Sequence, residues 1–376
     1  MIPFNVPPRT GNEQQYVLSA MGSDIMSGHG PFNLSCQRWF EKNLPCCRAL
    51  LTPSCTAALE LAAILVDVKE GDEIILPSFT FSSTANAFAL RGAKIVFIDV
   101  EPDTMNINAK LIEPAITKNT KAIVPVHYAG VACDMEAIME IAKKYGLFVI
   151  EDAAQAMMSD YKGQALGTIG HLGAFSFHET KNYTSGGEGG LLLVNDERFI
   201  ERAEIIREKG TNRSKFHRGQ IDKYQWVDIG SSFLLSELQS AYLYGQLEEA
   251  EKIKCDRWVS WNHYFTELLP LDGKGKIDCP KIQSERSHNA HIFFIKTKNV
   301  KERTNFINHM KQKGILATFH YVPLHSSKAG QKFSRFHGQD RFTTIESERL
   351  VRLPLWYGMS KDDRSQVIDS VKGFFC

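Results

Sequence analysis

Short apolar runs alternate with longer amphipathic segments between residues 52 and 151, and this alternation constrains the fold more than any other feature. The amphipathic segments have the period of helices, and the apolar runs have the length of buried strands. The predicted strands cover residues 73–77, 94–100, 121–126 and 147–151, and the predicted helices cover 57–68, 82–91, 108–116 and 134–144. The pattern therefore predicts an α/β fold with a mostly parallel central sheet covered by helices on both faces.

The remaining chain divides into the end of this unit and a second, smaller one. A strand-like run at 191–194 follows a glycine cluster, and the polar stretch 210–230 has no clear period, which is typical of an exposed loop. Later predicted elements are a helix at 236–261, strands at 292–296 and 316–320, a helix at 303–313, and a final helix after residue 360. With 376 residues, we expect a large domain over 1–250, including an N-terminal segment 1–45, and a small α+β domain over 251–376.

The composition argues against several classes of protein. Apolar content of 43% and charged content of 23% fit a globular rather than a disordered chain. The net charge of +1 gives no overall field, so we expect neither nucleic acid nor membrane as a partner. Eight cysteines without a C-x-x-C pair argue against a disulfide scaffold and a zinc site. We therefore expect no bound metal. The first residues lack the features of a signal peptide, so we expect a cytoplasmic protein.

One pair of titratable residues carries the strongest chemical signal. Asp152, within 151–155, ends a predicted strand, and Lys181, within 175–182, follows the next apolar run. Alone, Lys181 would be interpreted as an exposed surface lysine, and Asp152 as a helix N-cap. Pyridoxal phosphate, however, needs an amine that holds its aldehyde as a Schiff base and an acid that keeps its pyridine nitrogen protonated. The pair therefore predicts a pyridoxal-phosphate site, at the strand ends where ligands of such sheets bind.

Neighbouring residues can complete this site. Cys55 and Thr56 open a predicted helix, where N–H groups and hydroxyls favour a phosphate, and Ser176 can add a further hydroxyl. The alternative for the first two is an ordinary helix cap. Phe81 is a candidate to stack on the pyridine ring, although most aromatic side chains pack in cores. Gln155, three residues after Asp152, reaches the ring hydroxyl if that segment is helical.

Substrate contacts are weaker hypotheses, because structural roles for the same residue types are more common. Several His and Tyr residues fall at predicted strand ends and are candidates for sugar or phosphate contacts. Arginines around the polar loop are candidates for a diphosphate, with a solvated basic loop as the alternative. The residues are His127, Tyr128, Arg207, Arg213, His320 and Tyr321.

Five blocks in this order resemble the DegT/DnrJ/EryC1/StrS family of sugar-nucleotide aminotransferases, a branch of the fold-type I pyridoxal-phosphate enzymes. The blocks cover 71–81, 125–130, 151–155, 175–190 and 347–355. The resemblance implies a homodimer with its active site at the subunit interface. It also implies a set of cofactor contacts: Lys181 as the Schiff-base lysine, Asp152 at the ring nitrogen, Gln155 near the ring hydroxyl, Phe81 on the ring, and Cys55, Thr56 and Ser176 around the phosphate.

The resemblance further implies a reaction in which the cofactor cycles between pyridoxal and pyridoxamine phosphate (PLP and PMP). L-Glutamate leaves as 2-oxoglutarate, and the amino group goes to C4 of dTDP-4-keto-6-deoxy-D-glucose. Segments 178–184 and 208–214 resemble members that form dTDP-4-amino-4,6-dideoxy-D-galactose for bacterial surface polysaccharide such as enterobacterial common antigen. One departure is that Ser232 and Leu234 replace the residues that usually reach the neighbouring subunit's cofactor phosphate.

Several alternatives remain open at this point. The gluco epimer of the 4-aminosugar, or amination of a 3-ketosugar, would use the same cofactor residues. An NAD-dependent oxidoreductase would also be α/β, but the chain has no Gly-x-Gly-x-x-Gly after its first strand. A non-catalytic interaction protein on the same scaffold is the third alternative, and it would be colourless when purified.

Overall fold

The computed structural model describes residues 1–375, and twelve strands lie within that range. Eight of them form one large sheet, and two pairs form small antiparallel sheets. The strands are β1 (Arg48–Thr52), β2 (Glu73–Pro77), β3 (Lys94–Ile98), β4 (Thr120–Ile123), β5 (Phe148–Asp152), β6 (Asp160–Tyr161), β7 (Gln164–Ala165), β8 (Leu172–Ser176), β9 (Gly190–Val194), β10 (Phe293–Lys296), β11 (Ser334–Phe336) and β12 (Leu350–Leu353).

Fourteen α-helices connect and cover these strands within the described residues. They are α1 (Glu13–Met21), α2 (Pro31–Asn43), α3 (Cys55–Leu65), α4 (Ser82–Ala89), α5 (Ile112–Ala115), α6 (Met135–Tyr145), α7 (Ile200–Arg207), α8 (Arg213–His217), α9 (Glu237–Leu247), α10 (Ala250–Gly273), α11 (Val300–Gln312), α12 (Lys328–Phe333), α13 (Thr343–Arg349) and α14 (Lys361–Phe375). None of the helices in residues 1–375 is both long and apolar enough to cross a lipid bilayer.

The large sheet is mostly parallel, as the sequence pattern predicts. Its strand order is β1-β9-β8-β5-β4-β2-β3-β11. Every pair from β8 to β11 in this order is parallel, and only β9 runs against both of its neighbours. The carboxyl ends of β2, β4, β5 and β8 therefore meet at one edge, where open α/β sheets bind ligands. The predicted fold class is confirmed.

The core explains why the strands are apolar throughout. Strand residues alternate between two clusters, with Ile75 and Leu191 on one face and Ile74 and Leu192 on the other. Helices α2, α6 and α9 cover the first face, and α3, α4 and α7 cover the second. Because both faces are buried, each leucine or isoleucine side chain contributes about 1.5–3 kcal/mol relative to exposure, whichever way it points.

The C-terminal part has a core of its own. Strands β10 and β12 pair antiparallel, and α10, α11 and α14 pack their apolar residues around them. Helix α10 begins at Ala250, next to the predicted boundary between 1–250 and 251–376, although that division itself stays a prediction. Contacts across this boundary include one strand pairing and one packed side chain. Strand β11 joins the large sheet beside β3, and Ile2 packs into the C-terminal core.

Four sequence-based expectations differ from the structure. The helix predicted over 236–261 is two helices, because the chain turns at Glu248 and Glu249 between α9 and α10. The loop 210–230 contains the short helix α8. No strand forms at 316–320, where a single bridge links Thr318 to Arg352. Finally, no helix follows Asp152, so the N-cap interpretation of that residue is wrong.

Candidate active site

A cavity of about 620 Å³ lies at the carboxyl ends of the large sheet and extends to the C-terminal part of the chain. Strand β5 contributes Asp152 to its wall, and strand β8 contributes Ser176. Lys181 follows β8 and lines the same cavity. The structure thus brings together the amine and the carboxylate that the sequence pairs.

Asp152 is held by two hydrogen bonds at the end of its strand. Thr84 donates from its hydroxyl to Oδ2 over 2.7 Å, and the backbone N–H of Ala154 donates to Oδ1 over 3.2 Å. The Thr84 hydrogen is committed to the carboxylate, so the hydroxyl of Thr80, 2.7 Å away, donates to Thr84 in turn. Asp152 is only 5% exposed. This network fixes a buried acceptor at one side of the cavity.

Lys181 lies in the turn after β8, where its backbone N–H donates to the carbonyl of His178 over 2.9 Å. Removal from bulk water lowers the pKa of its amine below the ordinary value of 10.5. The negative charge of Asp152 opposes this shift, and the positive charge of Arg352 adds to it. An amine with a lowered pKa is more often unprotonated, and the unprotonated form is the nucleophile that a cofactor aldehyde requires.

The starts of two helices form a cradle of donors beside this pair. Ser54 caps α3 by accepting the N–H of Ala57 over 3.1 Å, which leaves the N–H groups of Cys55 and Thr56 without an acceptor in residues 1–375. The hydroxyl of Thr56 donates to Ser83, in the first turn of α4, over 2.8 Å. Helix starts and hydroxyls of this kind favour a phosphate.

Gly190 shows how tightly the cradle is built. A Cβ atom at this position would lie 2.3 Å from the carbonyl carbon of Ser54 and 2.4 Å from the nitrogen of Cys55. Only glycine lets strand β9 approach the start of α3 so closely. Burial raises the pKa of the Cys55 thiol well above its usual value, so this side chain stays neutral beside an anion. These residues fit the phosphate of pyridoxal phosphate.

Gln155 and Tyr321 form a second part of the wall. The side-chain oxygen of Gln155 accepts the N–H of Ala129 over 2.7 Å, and its amide nitrogen donates to the Tyr321 hydroxyl over 3.0 Å. His320 stacks on Tyr321 with 3.7 Å between ring centroids. Phe81, at the N-cap of α4, is 59% exposed and lies on the cavity side. Gln155 therefore reaches the site from a turn rather than from the helix that the sequence suggested.

Four of the candidate substrate residues do not offer free side chains to this cavity in a single chain, so their substrate roles stay predictions. His127 is fully buried in the wall, where it hydrogen bonds to Glu151 over 2.9 Å and accepts the N–H of Cys133. Tyr128 is buried, and its hydroxyl hydrogen bonds to His320 over 2.8 Å.

The two arginines are committed elsewhere. Arg207 is buried and donates to the carbonyl of Leu51 over 3.0 Å. Arg213 lies 3.4 Å from a carboxylate oxygen of Glu208, outside the cavity of this chain. Only His320 and Tyr321 of the six candidates present partly exposed side chains at the wall.

Sequence reasoning missed several wall residues. Ser83 and Thr84 lie two and three residues after Phe81, just beyond the end of the block at 71–81. His291 hydrogen bonds to the side-chain oxygen of Asn182 over 2.8 Å. Since Asn182 donates its amide to the carbonyl of Asn289, His291 must donate through Nδ1, which leaves Nε2 as an acceptor. Arg352 belongs to the last recognised block, but pattern alone does not show that it faces Lys181.

Comparison with known proteins gives consistent matches over nearly the whole chain. Residues 8–372 match the profile of the DegT/DnrJ/EryC1/StrS aminotransferase family. The spore coat polysaccharide biosynthesis protein SpsC of Bacillus subtilis is 32% identical over 99% of this chain and 96% of its own length.

Two solved structures extend this comparison. An aminotransferase from Psychrobacter cryohalolentis superposes with a TM-score of 0.92 at 26% identity, covering 98% of both chains. Spr1654 from Streptococcus pneumoniae, named as a candidate sugar aminotransferase and solved in its PMP form, gives a TM-score of 0.89 at 25% identity over 100% of this chain and 99% of its own.

Proposed function

Because this chain belongs to the DegT/DnrJ/EryC1/StrS aminotransferase family, whose members depend on pyridoxal phosphate, we propose that it is a sugar-nucleotide aminotransferase. The proposed reaction moves the amino group of L-glutamate to C4 of dTDP-4-keto-6-deoxy-D-glucose. The products are 2-oxoglutarate and dTDP-4-amino-4,6-dideoxy-D-galactose. The observation that carries the proposal is that Lys181 and Asp152 line one cavity next to the starts of α3 and α4. The relation to SpsC, a polysaccharide biosynthesis protein, supports a sugar substrate.

Each proposed cofactor contact follows from chemistry at this wall. When bound, pyridoxal phosphate supplies an electron sink and carries the amino group between the two substrates. Lys181 would hold it covalently, and Asp152 would hold a proton on its pyridine nitrogen. The phosphate would lie at the N–H groups of Cys55 and Thr56, with Ser176 and Ser83 nearby. Phe81 would cover one face of the ring.

Proton transfer is the chemical step assigned to the chain itself. Once a substrate amine replaces Lys181, the freed amine of Lys181 can carry a proton between the substrate carbon and the cofactor carbon on its own side of the cofactor. With its lowered pKa, Lys181 can act as a base as well as an acid. In the second half of the reaction, Lys181 would deliver the proton to C4 of the sugar. The face of the sugar that meets Lys181 then decides between galacto and gluco products.

A homodimer with a shared site is part of the proposal. Large apolar side chains are exposed around the loop 210–230, including Trp226 at 78% and Val227 at 50%. Surfaces of this kind are typical of protein interfaces. Ser231 and Ser232 are exposed beside them, whereas Leu234 is partly buried. Either serine is therefore free to take the intersubunit phosphate contact that the family usually makes with other residues.

Product analysis tests the proposed reaction. Purified protein is incubated with L-glutamate and dTDP-4-keto-6-deoxy-D-glucose, and the configuration of the product at C4 is determined by NMR. We expect 2-oxoglutarate and a galacto-configured 4-amino sugar in equal amounts, with Lys181→Ala as the inactive control. A gluco-configured product would contradict the proposed product. Amination of a 3-ketosugar alone, at C3, would contradict the proposed substrate. A colourless protein that consumes no glutamate would contradict aminotransferase activity itself.

A further inference from the structure

Arg352 is an arginine in the cavity wall whose charge has no counterion among residues 1–375. It lies on β12, and its backbone exchanges two hydrogen bonds with Thr318, of 2.8 Å and 3.2 Å. These bonds fix where the side chain leaves the strand. From there the guanidinium enters the wall of the cavity that contains Lys181.

Most of the hydrogen-bonding capacity of this guanidinium is unused. Of its five N–H groups, one donates from Nη2 to the carbonyl of Phe319 over 3.0 Å. The Nε atom is buried and has no acceptor in residues 1–375. No carboxylate of the described residues lies within 4.0 Å, whereas Arg349, three residues earlier, pairs with both Glu346 and Asp278.

The lack of a counterion points to an anionic ligand. Taking a cation out of water is unfavourable unless an anion or several acceptors compensate. Burial lowers the pKa of Arg352 and no nearby acid raises it again, because the opposing effects come only from Tyr128 and Tyr321. The planar fork of N–H groups matches a carboxylate or a phosphate.

We propose that Arg352 binds a carboxylate of the amino donor and thereby selects amino acids as donors; this inference rests on the proposed aminotransferase function. An amino donor carries a carboxylate on the same carbon as its reacting amine. An anion must therefore be accommodated next to Lys181 in the first half of the reaction. In a keto sugar that reacts at C4, the diphosphate is attached at C1, across the sugar ring. Arg352 and Lys181 line the same cavity, and the charge of Arg352 acts on the Lys181 amine, so we assign Arg352 to the donor.

The N-terminal segment holds this guanidinium in place. The guanidinium carbon of Arg352 lies 4.6 Å from the centroid of the Phe4 ring, within the range of a cation–π contact. Ile2 fixes the segment by donating to the carbonyl of Gly314 over 2.7 Å and accepting from Leu316 over 3.0 Å. Phe4 is therefore a positioning residue for Arg352.

Equilibrium binding of glutarate, a dicarboxylate without an amine, tests the assignment without turnover. The cofactor-loaded protein, Arg352→Gln and Arg352→Lys are titrated by calorimetry. Arg303→Gln is the matched control, because Arg303 stacks on Phe319 at 5.7 Å but lies outside the cavity wall. We expect Arg352→Gln to weaken glutarate binding about 10- to 100-fold. The glutarate affinity of Arg352→Lys should lie between those of the parent protein and Arg352→Gln. The affinity of Arg303→Gln should equal that of the parent protein.

The two half-reactions, followed separately by the cofactor's absorbance, distinguish the donor from the sugar nucleotide. Arg352→Gln should raise the concentration of glutamate needed for half-maximal rate, while the reaction of PMP-loaded protein with the keto sugar keeps its rate. Unchanged glutarate and glutamate binding would overturn the inference, and so would a defect confined to the keto-sugar half-reaction, which would assign Arg352 to the diphosphate.

Circular dichroism spectra and melting temperatures establish that the variants are folded. Failure of the parent protein to aminate any sugar would contradict the proposed function, while glutarate binding would still decide the role of Arg352.

Discussion

Thr84 Oγ1 lies 2.7 Å from Oδ2 of Asp152, and this hydrogen bond joins the first turn of α4 to the end of β5. Both residues are buried. The bond has a structural consequence, since it orients the carboxylate toward the cavity that also contains Lys181. It also links the phosphate cradle to the acid, because Ser83 precedes Thr84 and receives the hydrogen bond of Thr56.

Thr84→Val should weaken cofactor binding. The substitution keeps the shape of the side chain but removes a hydrogen bond to a charged group, which is worth about 1.5–3 kcal/mol. We therefore expect roughly a 10-fold or greater rise in the dissociation constant for pyridoxal phosphate, measured by fluorescence titration of the apo-protein. Thr80→Val, one hydroxyl further from Asp152, should have a smaller effect. Equal affinities in the parent and Thr84→Val would show that the bond does not support the acid.

Asp152→Asn should retain the fold and lose most of the activity. The amide is nearly isosteric with the carboxylate but cannot hold a proton on the pyridine nitrogen. Loss of one such electrostatic stabiliser costs about 10²–10³-fold in kcat. Steady-state kinetics with glutamate and the keto sugar measure this effect. A variant with more than half of the parent kcat would remove Asp152 from the proposed role.

Capture of the cofactor by apo-protein should depend on pH through Lys181. Burial lowers the pKa of this amine, so its reactive, unprotonated form appears at lower pH than in a lysine with the ordinary pKa of 10.5. The rate of capture should therefore rise with pH and level off below that value. In Arg352→Gln the midpoint should move to higher pH, because a nearby positive charge that disfavours the ammonium is removed. Stopped-flow absorbance gives both profiles, with Arg303→Gln as the control.

The exposed apolar side chains around the loop 210–230 should be covered in solution by a second copy of the chain. Light scattering after size-exclusion chromatography should give twice the mass of one chain. Trp226→Glu should shift the protein toward monomer, because it places a charge in the proposed interface. Val259→Glu is the control: Val259 lies on α10, is 57% exposed and is outside the loop 210–230, so this variant should leave the dimer intact. A monomeric parent protein would contradict the shared site.

The large sheet could be predicted from sequence because its strands are buried on both faces and its helices are amphipathic. The hydrophobic pattern alone therefore distinguished strands β2, β3, β4 and β5 from the helices that connect them. The strand expected at 316–320 did not form, since Thr318 makes its only bridge to Arg352 and the chain then turns toward the cavity. Local pattern carries no information on such a turn.

For the site residues too, local pattern was informative and contacts between distant segments were not predictable. Asp152 and Lys181 could be identified as a candidate pair because Asp152 ends β5 and Lys181 follows β8, and both strands end at the same edge of the sheet. Arg207 was not, because its position in the loop region gave no sign that its guanidinium would be buried against the carbonyl of Leu51. Arg352 is the reverse case, a cavity residue that the sequence did not indicate. Its place in the cavity depends on the pairing of distant segments and on Phe4 at the other end of the chain.

The covalent position of the cofactor tests the central claim most directly. Purified protein loaded with pyridoxal phosphate is reduced with sodium borohydride, which makes the link between the cofactor and its lysine irreversible, and the digested protein is analysed by mass spectrometry. The phosphopyridoxyl group should be found on Lys181 alone, and Lys181→Ala should remain folded, unlabelled and inactive. A label on another lysine, or a fully labelled and active Lys181→Ala, would contradict the assignment of this cavity as the active site.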